Sequence, residues 1–391
     1  MIKTFRILPF IACFTITAFS QTDLIIPAGT NLLQDSIASK NLVNSLSLFL
    51  NSIAIDNTAN QYIPAQDKVQ TLDLIDEIKD IQKSGKYKND KFYKPYLTNV
   101  VQINDSTYFL QFSFIGTVYS SAFLRASFDL MAKKVHTNDF VFYSPISTNT
   151  KNWKTKKTGT TTFHYNNNLN IAKATSFSNY VLLFDHKLGN INQHIDYYCC
   201  NNATEALRIL GVPYKADYNG QNTISLNSTF ENTSVFVTSE GGENFNDFDP
   251  HDLWHSRLHT AIPVSLINKP VDEGCAYLYG GSWGLSWKEI YKMFTERVSK
   301  NRQTDWLDLY EKFYNFGDGQ EKHLIVGYVI NALIVKELEK EKGFSAVVTF
   351  LKCGKYEKGN ENYFSVLNKL LGINKANFNA AVWKLIDMEK I

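Results

Sequence analysis

The amino-acid sequence changes character at Asp249-Pro250. Ahead of that point, short β-rich runs are interspersed with helical segments; from Pro250 nearly to the end, apolar residues recur at helical spacing. Strands gathered ahead of a long helical stretch do not fit a regular alternation of strand and helix, and the pattern predicts an α+β fold. Asp249-Pro250 is itself a helix start, because a carboxylate caps the free amides of the first turn and proline presets the first helical φ. Side chains on that helix stand at the junction between sheet and helical region.

Residues 31–53 and 65–83 read as helices, with Leu72, Leu74, Ile75 and Ile78 at helical spacing. Four β-rich stretches follow at 97–103, 107–115, 122–131 and 140–143, and Asn104-Asp105-Ser106 between the first two is hairpin chemistry. Helices followed by a meander predict a small α+β domain with the helices on one face of the sheet. The polar stretch 148–159, with Lys151, Lys154, Lys156 and Lys157, is the expected boundary. Beyond it the order is strand 160–165, helix 169–188, strand 194–199, helix 203–210, and strands near 223–226 and 233–239. The expected organisation is a signal peptide at 1–20, an N-terminal domain at 21–150 and a second domain at 151–391.

The first twenty residues have a basic start, an apolar run from Ile7 to Phe19 and a small-x-small end at Ala18-Phe19-Ser20, as in an exported protein. The run is shorter than the roughly 20 residues a membrane span requires, and no later stretch is long enough. Lys3 and Arg6 are the only charged residues there, so the 40 basic and 38 acidic residues of the chain become 38 and 38 on cleavage. A neutral chain lacks the electrostatic footprint of a nucleic-acid or anionic-membrane binder. With 44% hydrophobic and 14% aromatic residues it is too apolar for a disordered protein. After cleavage Cys199, Cys200, Cys275 and Cys353 remain, with no CxxC pair; one or two disulfides are open, though adjacent Cys199 and Cys200 are poorly placed to bridge each other.

His251 and His255 lie four apart on the helix that Asp249 caps, so both imidazoles project from one face about a turn apart. After them the helix must stop by Pro263, and Pro270-Val-Asp-Glu-Gly-Cys-Ala-Tyr277 opens the next. Glu273, 18 residues beyond His255, is far enough along for a second helix to return and offer a third ligand. Two histidines and one glutamate, with the fourth position left to water, form a catalytic rather than a closed structural zinc arrangement, one ion per chain.

His251-Asp-Leu-Trp-His255 followed by Asp272-Glu-Gly-Cys-Ala-Tyr277 resembles the gluzincin metallopeptidases, in particular the secreted peptidase MA-like proteins, whose pattern is HExxH and then a second helix reading (N/S)EG-x-A-x-Y. Tyr328 resembles the tyrosine those enzymes carry on a later helix, and the stretch to about Ile386 looks like their C-terminal helical subdomain. The resemblance covers about 155–391. It implies a zinc peptidase fold whose edge strand, expected at 233–239, aligns an extended peptide or protein substrate by β-augmentation.

One residue departs from the pattern. Family members place glutamate after the first histidine, as the base that takes a proton from water; this chain has Asp252. Aspartate keeps the carboxylate but is shorter by roughly 1.5 Å, and a misplacement of that order costs about 10²-fold in rate. Weak proteolysis is therefore one expectation, and an inactive homologue that binds peptides or a partner is the other.

Blander roles are open to the neighbours. His259 stands about 12 Å along the helix from His251, too far to share its ion; His164, His186 and His194 are dispersed structural histidines. Tyr328 sits in an apolar helix, where core packing and oxyanion stabilisation are both open. Glu243, Asp247 and Asp249 lack EF-hand spacing and suit turns and caps. Asp272 either caps a helix or orients a metal-binding imidazole.

Overall fold

In the computed structural model of the protein, residues 24–53, 59–135, 139–190, 193–298, 302–317 and 324–389 are described; the expected signal peptide lies outside them. Helix α1 (Ser36–Ser52) begins where the Asp35 carboxylate accepts from the amides of Ile37 and Ala38, and it buries Leu42, Leu46 and Phe49. After a 3-10 turn, α2 (Lys68–Ile78) buries Leu72, Leu74 and Ile75. Four strands then form an antiparallel meander, β1 (Lys94–Gln102), β2 (Thr107–Val118), β3 (Ser121–Lys134) and β4 (Phe140–Tyr143). Alternation sets its register: Leu110 pairs with Leu130 and Phe112 with Phe128 on the buried side. Phe49 of α1 meets Phe142 of β4 with ring centroids 5.1 Å apart. Each such side chain contributes roughly 1.5–3 kcal/mol when fully buried.

A helical turn, α3 (Ile146–Asn149), leads to β5 (Lys154–Thr158), β6 (Thr161–Tyr165), α4 (Ile171–Leu188), β7 (His194–Cys199) and α5 (Ala203–Leu210). The chain then returns to the meander, where β8 (Tyr214–Lys215) pairs with β3, before β9 (Ser225–Phe230) and β10 (Thr233–Thr238). The second sheet is mixed, in the order β5-β6-β7-β10-β9, with β6, β7 and β10 parallel and both outer strands antiparallel to their neighbours.

This order corrects the expectation for 233–239. β10 lies inside the sheet, and the edge beside it is β9, which is mostly exposed or half-buried where β10 is buried from Ser234 to Thr238. The lysine-rich stretch expected as the boundary contains a strand, β5, which forms the opposite edge; lysines on an edge discourage further pairing.

From Pro250 the chain is helical: α6 (Pro250–Ala261), α7 (Lys269–Tyr279), α8 (Trp287–Arg297), α9 (Trp306–Glu311), α10 (Val326–Lys342), α11 (Phe344–Leu351), α12 (Glu361–Leu371) and α13 (Phe378–Met388). α10 is the hub, with Val326, Val329, Ile330, Ala332 and Ile334 fully buried. Together these elements make an α+β protein of two compact units, one running to Pro145 and taking in Gly211–Asn219, the other comprising 146–210 and 220–391. Cys199, Cys200, Cys275 and Cys353 are all free. Among the described residues no helix is long and apolar enough to cross a membrane.

Candidate metal centre

Asp249 caps α6 as expected, accepting from the His251 amide at 2.8 Å, with Pro250 in the first turn. The cap fixes where the helix starts and so which face carries His251 and His255. α7 crosses α6 and brings Glu273 to the two imidazoles. Its last turn runs close against the start of α6: a Cβ on Gly280 would stand 2.6 Å from the Pro250 carbonyl oxygen and 2.7 Å from the His251 nitrogen. No larger residue fits there without moving backbone.

His251 Nδ1 lies 2.8 Å from the Gly281 carbonyl, which can only accept, so Nδ1 carries the proton. His255 Nδ1 lies 2.9 Å from Asp272 Oδ2 and donates to that carboxylate. Asp272 is buried, and its other oxygen accepts from the Trp254 indole at 3.0 Å. Of its two expected roles, Asp272 therefore takes that of orienting an imidazole. The carbonyl of Gly281 and the Trp254 indole carry no motif; the Gly280-Gly281 pair straight after the helix was the only signal for the first.

With both Nδ1 atoms engaged, both Nε2 atoms turn inward. They stand 3.1 Å apart, and Glu273 Oε2 lies 3.4 Å from the first and 3.9 Å from the second. The ligand atoms of His251, His255 and Glu273 all fall within 4.8 Å of one another, the cluster among the described residues that could hold a metal ion. Their side chains are only 12%, 21% and 14% exposed. In their neutral-imidazole and carboxylate forms all three are acceptors, so the arrangement needs positive charge at its centre. Burial pulls His251 down, but hydrogen bonding to Glu273 and to Gly281 outweighs it and raises the imidazole above its ordinary value. Burial pushes Glu273 the other way, and the two imidazoles overcome it, holding the carboxyl below its ordinary value. The three residues can hold a metal ion.

Tyr328 reaches this neighbourhood from α10. Its ring packs edge-on against Tyr277 at 5.8 Å, and Tyr277 lies 5.6 Å from the His251 ring. Burial, and then the Glu273 and Asp272 carboxylates, push its phenol up to about 12, so it stays a donor. His259 stacks 6.4 Å from His255 and is outside the cluster. His164 pairs with Asp196 at 2.8 Å.

Asp252 is exposed and faces a different space, a cleft of about 460 Å³ on the adjoining side of α6. Ser225 and Asn227 of the edge strand β9 line it, with Phe236, Phe248 and Leu253 as apolar wall. Its charged groups are Glu240, Asp247, Asp249 and Asp252, all carboxylates. Burial, then the charges of Asp252 and Asp249, hold Glu240 above its ordinary value. Asp247 also pairs with Lys173 at 3.0 Å, and Asp249 is the helix cap. No family model, curated protein or solved structure matches the chain.

Proposed function

We propose that the second unit is an exported zinc-dependent metallopeptidase of gluzincin type that hydrolyses peptide bonds in an extended substrate. The observation that carries the reading is the convergence of two inward-facing Nε2 atoms and one carboxylate oxygen. A tetrahedral zinc with bonds of roughly 2.0–2.1 Å separates its ligand atoms by about 3.3 Å; two of the three separations, 3.1 and 3.4 Å, are close to that, and the third, 3.9 Å, is wider. Imidazole ligands favour zinc over magnesium or calcium, and three protein ligands leave a position for water or substrate. The Asp272–His255 pair is the outer support such ligands commonly have. When bound, the ion supplies Lewis-acid activation of water and of the scissile carbonyl. The remaining roles would fall to the chain's own groups: the Tyr328 hydroxyl would donate to charge developing on the substrate oxygen, while Asp252, the carboxylate at the position that the resemblance gives to the base, lines the adjoining cleft. β9 is the outer strand of the sheet on this side, along which a peptide could lie.

The short Asp252 side chain favours a second reading, a catalytically silent homologue that binds peptides through the same cleft. Metal analysis of the purified protein from residue 21 onward, followed by peptide hydrolysis with and without a chelator, separates the two. One zinc per chain with chelator-sensitive hydrolysis supports the enzyme, and Asp252→Glu should then raise the rate. One zinc with no hydrolysis in either protein leaves the binder, and a chain that retains no zinc sinks the enzyme.

A further inference from the structure

The cleft that Asp252 faces lies beside the outer strand of its sheet. In the antiparallel pairing of β9 with β10, Ser225 stands opposite Thr238 and Asn227 opposite Phe236. One step before the first of these pairs, the Ser239 amide donates to the Ile224 carbonyl at 2.9 Å. Bonded and non-bonded pairs alternate along such a ladder, so Leu226 and Ser228 face β10, while Ser225, Asn227 and Thr229 turn their N–H and C=O groups away from it. Across β10 the same alternation holds: the Thr238 carbonyl points to β7 and accepts from the Cys200 amide at 3.0 Å. The side chains of Ser225 and Asn227 line the cleft. A peptide strand laid along β9 therefore presents every second side chain to the face that carries the cleft.

We propose that the cleft receives a long basic side chain, lysine or arginine, of a peptide lying along β9, and that Glu240 selects it. The walls combine two chemistries. Phe177, Tyr197, Phe236 and Leu253, all buried, supply apolar surface for a methylene stem. The charged lining residues are all carboxylates, so the field of the cleft attracts a cation. Their present partners differ. Asp247 already pairs with Lys173, and Asp249 spends its carboxylate on the α6 cap. Glu240 is held by the Ser225 hydroxyl, on the strand residue beside which the peptide backbone would run. Burial, then the charges of Asp252 and Asp249, disfavour its ionised form, and an entering ammonium or guanidinium relieves that repulsion. A volume of about 460 Å³ accommodates one such side chain with water. The inference rests on the peptide-binding part of the functional reading and is independent of hydrolysis.

The test is calorimetric titration of the purified protein from residue 21 onward, supplied with zinc, with three blocked pentapeptides. They are identical except for a central arginine, its neutral isostere citrulline, or glutamate, and mass spectrometry follows their integrity. The wild type should bind the arginine peptide about tenfold more tightly than the citrulline peptide and the glutamate peptide least, and added salt should shrink the preference. Glu240→Gln keeps a partner for Ser225; it should cut the arginine preference to about twofold and leave citrulline binding, zinc content and Tm unchanged. Glu240→Lys should place the glutamate peptide above the arginine peptide. Equal binding of the arginine and citrulline peptides by the wild type, or an undiminished preference in Glu240→Gln, overturns the proposal while leaving a peptide binder. Binding of none of the three overturns the peptide reading with it.

Discussion

His251 and Glu273 are shifted in opposite directions, and together they describe a site that accepts either a proton or a metal ion. A histidine raised in the fold stabilises fully below its unfolded value and loses that contribution as pH rises through the folded value. A glutamate depressed in the fold stabilises fully above its unfolded value and loses it as pH falls through the folded one. For the metal-free protein both contributions are complete between the model-compound values of 4.5 and 6.5, and the histidine part fades above that window. Metal uptake has the reverse slope, because the proton on His251 must leave. Zinc affinity should therefore rise with pH through the folded His251 value, with proton release largest below it. Calorimetry in two buffers of different ionisation enthalpy reads that release; uptake that frees no proton at about pH 6 would contradict the arrangement. Asp272→Asn tests the outer support. The two N–H groups of His255 and Trp254 donate to different oxygens, one of which becomes an NH2 donor in the amide, so affinity in a chelator competition should fall about 10–100-fold. The His251–His255 pair was legible in the sequence because helical spacing and capping are local, and Glu273 because a second helix 18 residues on could return to it. Gly281 and Trp254 were not, since a carbonyl has no residue type to betray it and an indole in an apolar run reads as core.

Helix α6 keeps its position through a side chain that carries no motif. Arg257 is fully buried; its Nε and Nη2 donate to the two oxygens of Asp185 on α4 at 2.8 and 3.1 Å, and Nη1 reaches Ser234 on β10 at 3.3 Å. Burial holds the Asp185 carboxyl above its ordinary value even beside the guanidinium, which marks the pair as costly to desolvate. Arg257→Met leaves a buried carboxylate unpaired and should destabilise by about 3–5 kcal/mol, whereas Asp185→Leu with Arg257→Met should recover much of that. Urea denaturation of both variants decides it, and a double variant no more stable than the single would refute the account. The sheet shows what an element-level reading could and could not see. The run Thr233–Thr238 is buried without alternation after its first residue, the mark of an interior strand, whereas the resemblance had implied an edge. Strand β5, Lys154–Thr158, has four exposed positions in five and no apolar face, so only its pairing with β6 reveals it. The polar β9 was found at its start alone for the same reason.

At the scale of the whole molecule, the chain leaves its first unit at Pro145, re-enters it for Gly211–Asn219, and then completes the second. Composition could not show this return, because β8 is only two residues long and its ties are distant in sequence. Lys215 reaches Glu77 at 2.6 Å, and Arg125 holds Asp217 through two bonds of 2.6 and 2.7 Å. The α+β character, by contrast, was legible throughout, since it depends on periodicity repeated over many residues. Each unit has a buried core of its own, one built on Leu42, Phe112 and Phe128, the other on Phe163, Trp254 and the α10 face, so each should unfold cooperatively. His251, His255 and Glu273 all belong to the second unit, so a ligand that binds its folded form stabilises that unit by mass action. At a free metal concentration about a thousandfold above Kd the gain is about 4 kcal/mol. For a unit of this size that raises Tm by roughly 8–16 °C. Scanning calorimetry with zinc and with a chelator should accordingly resolve two transitions, of which one moves by that amount and the other stays. A metal-insensitive trace, or two transitions that move together, would mean that the ion is not held where these three side chains converge.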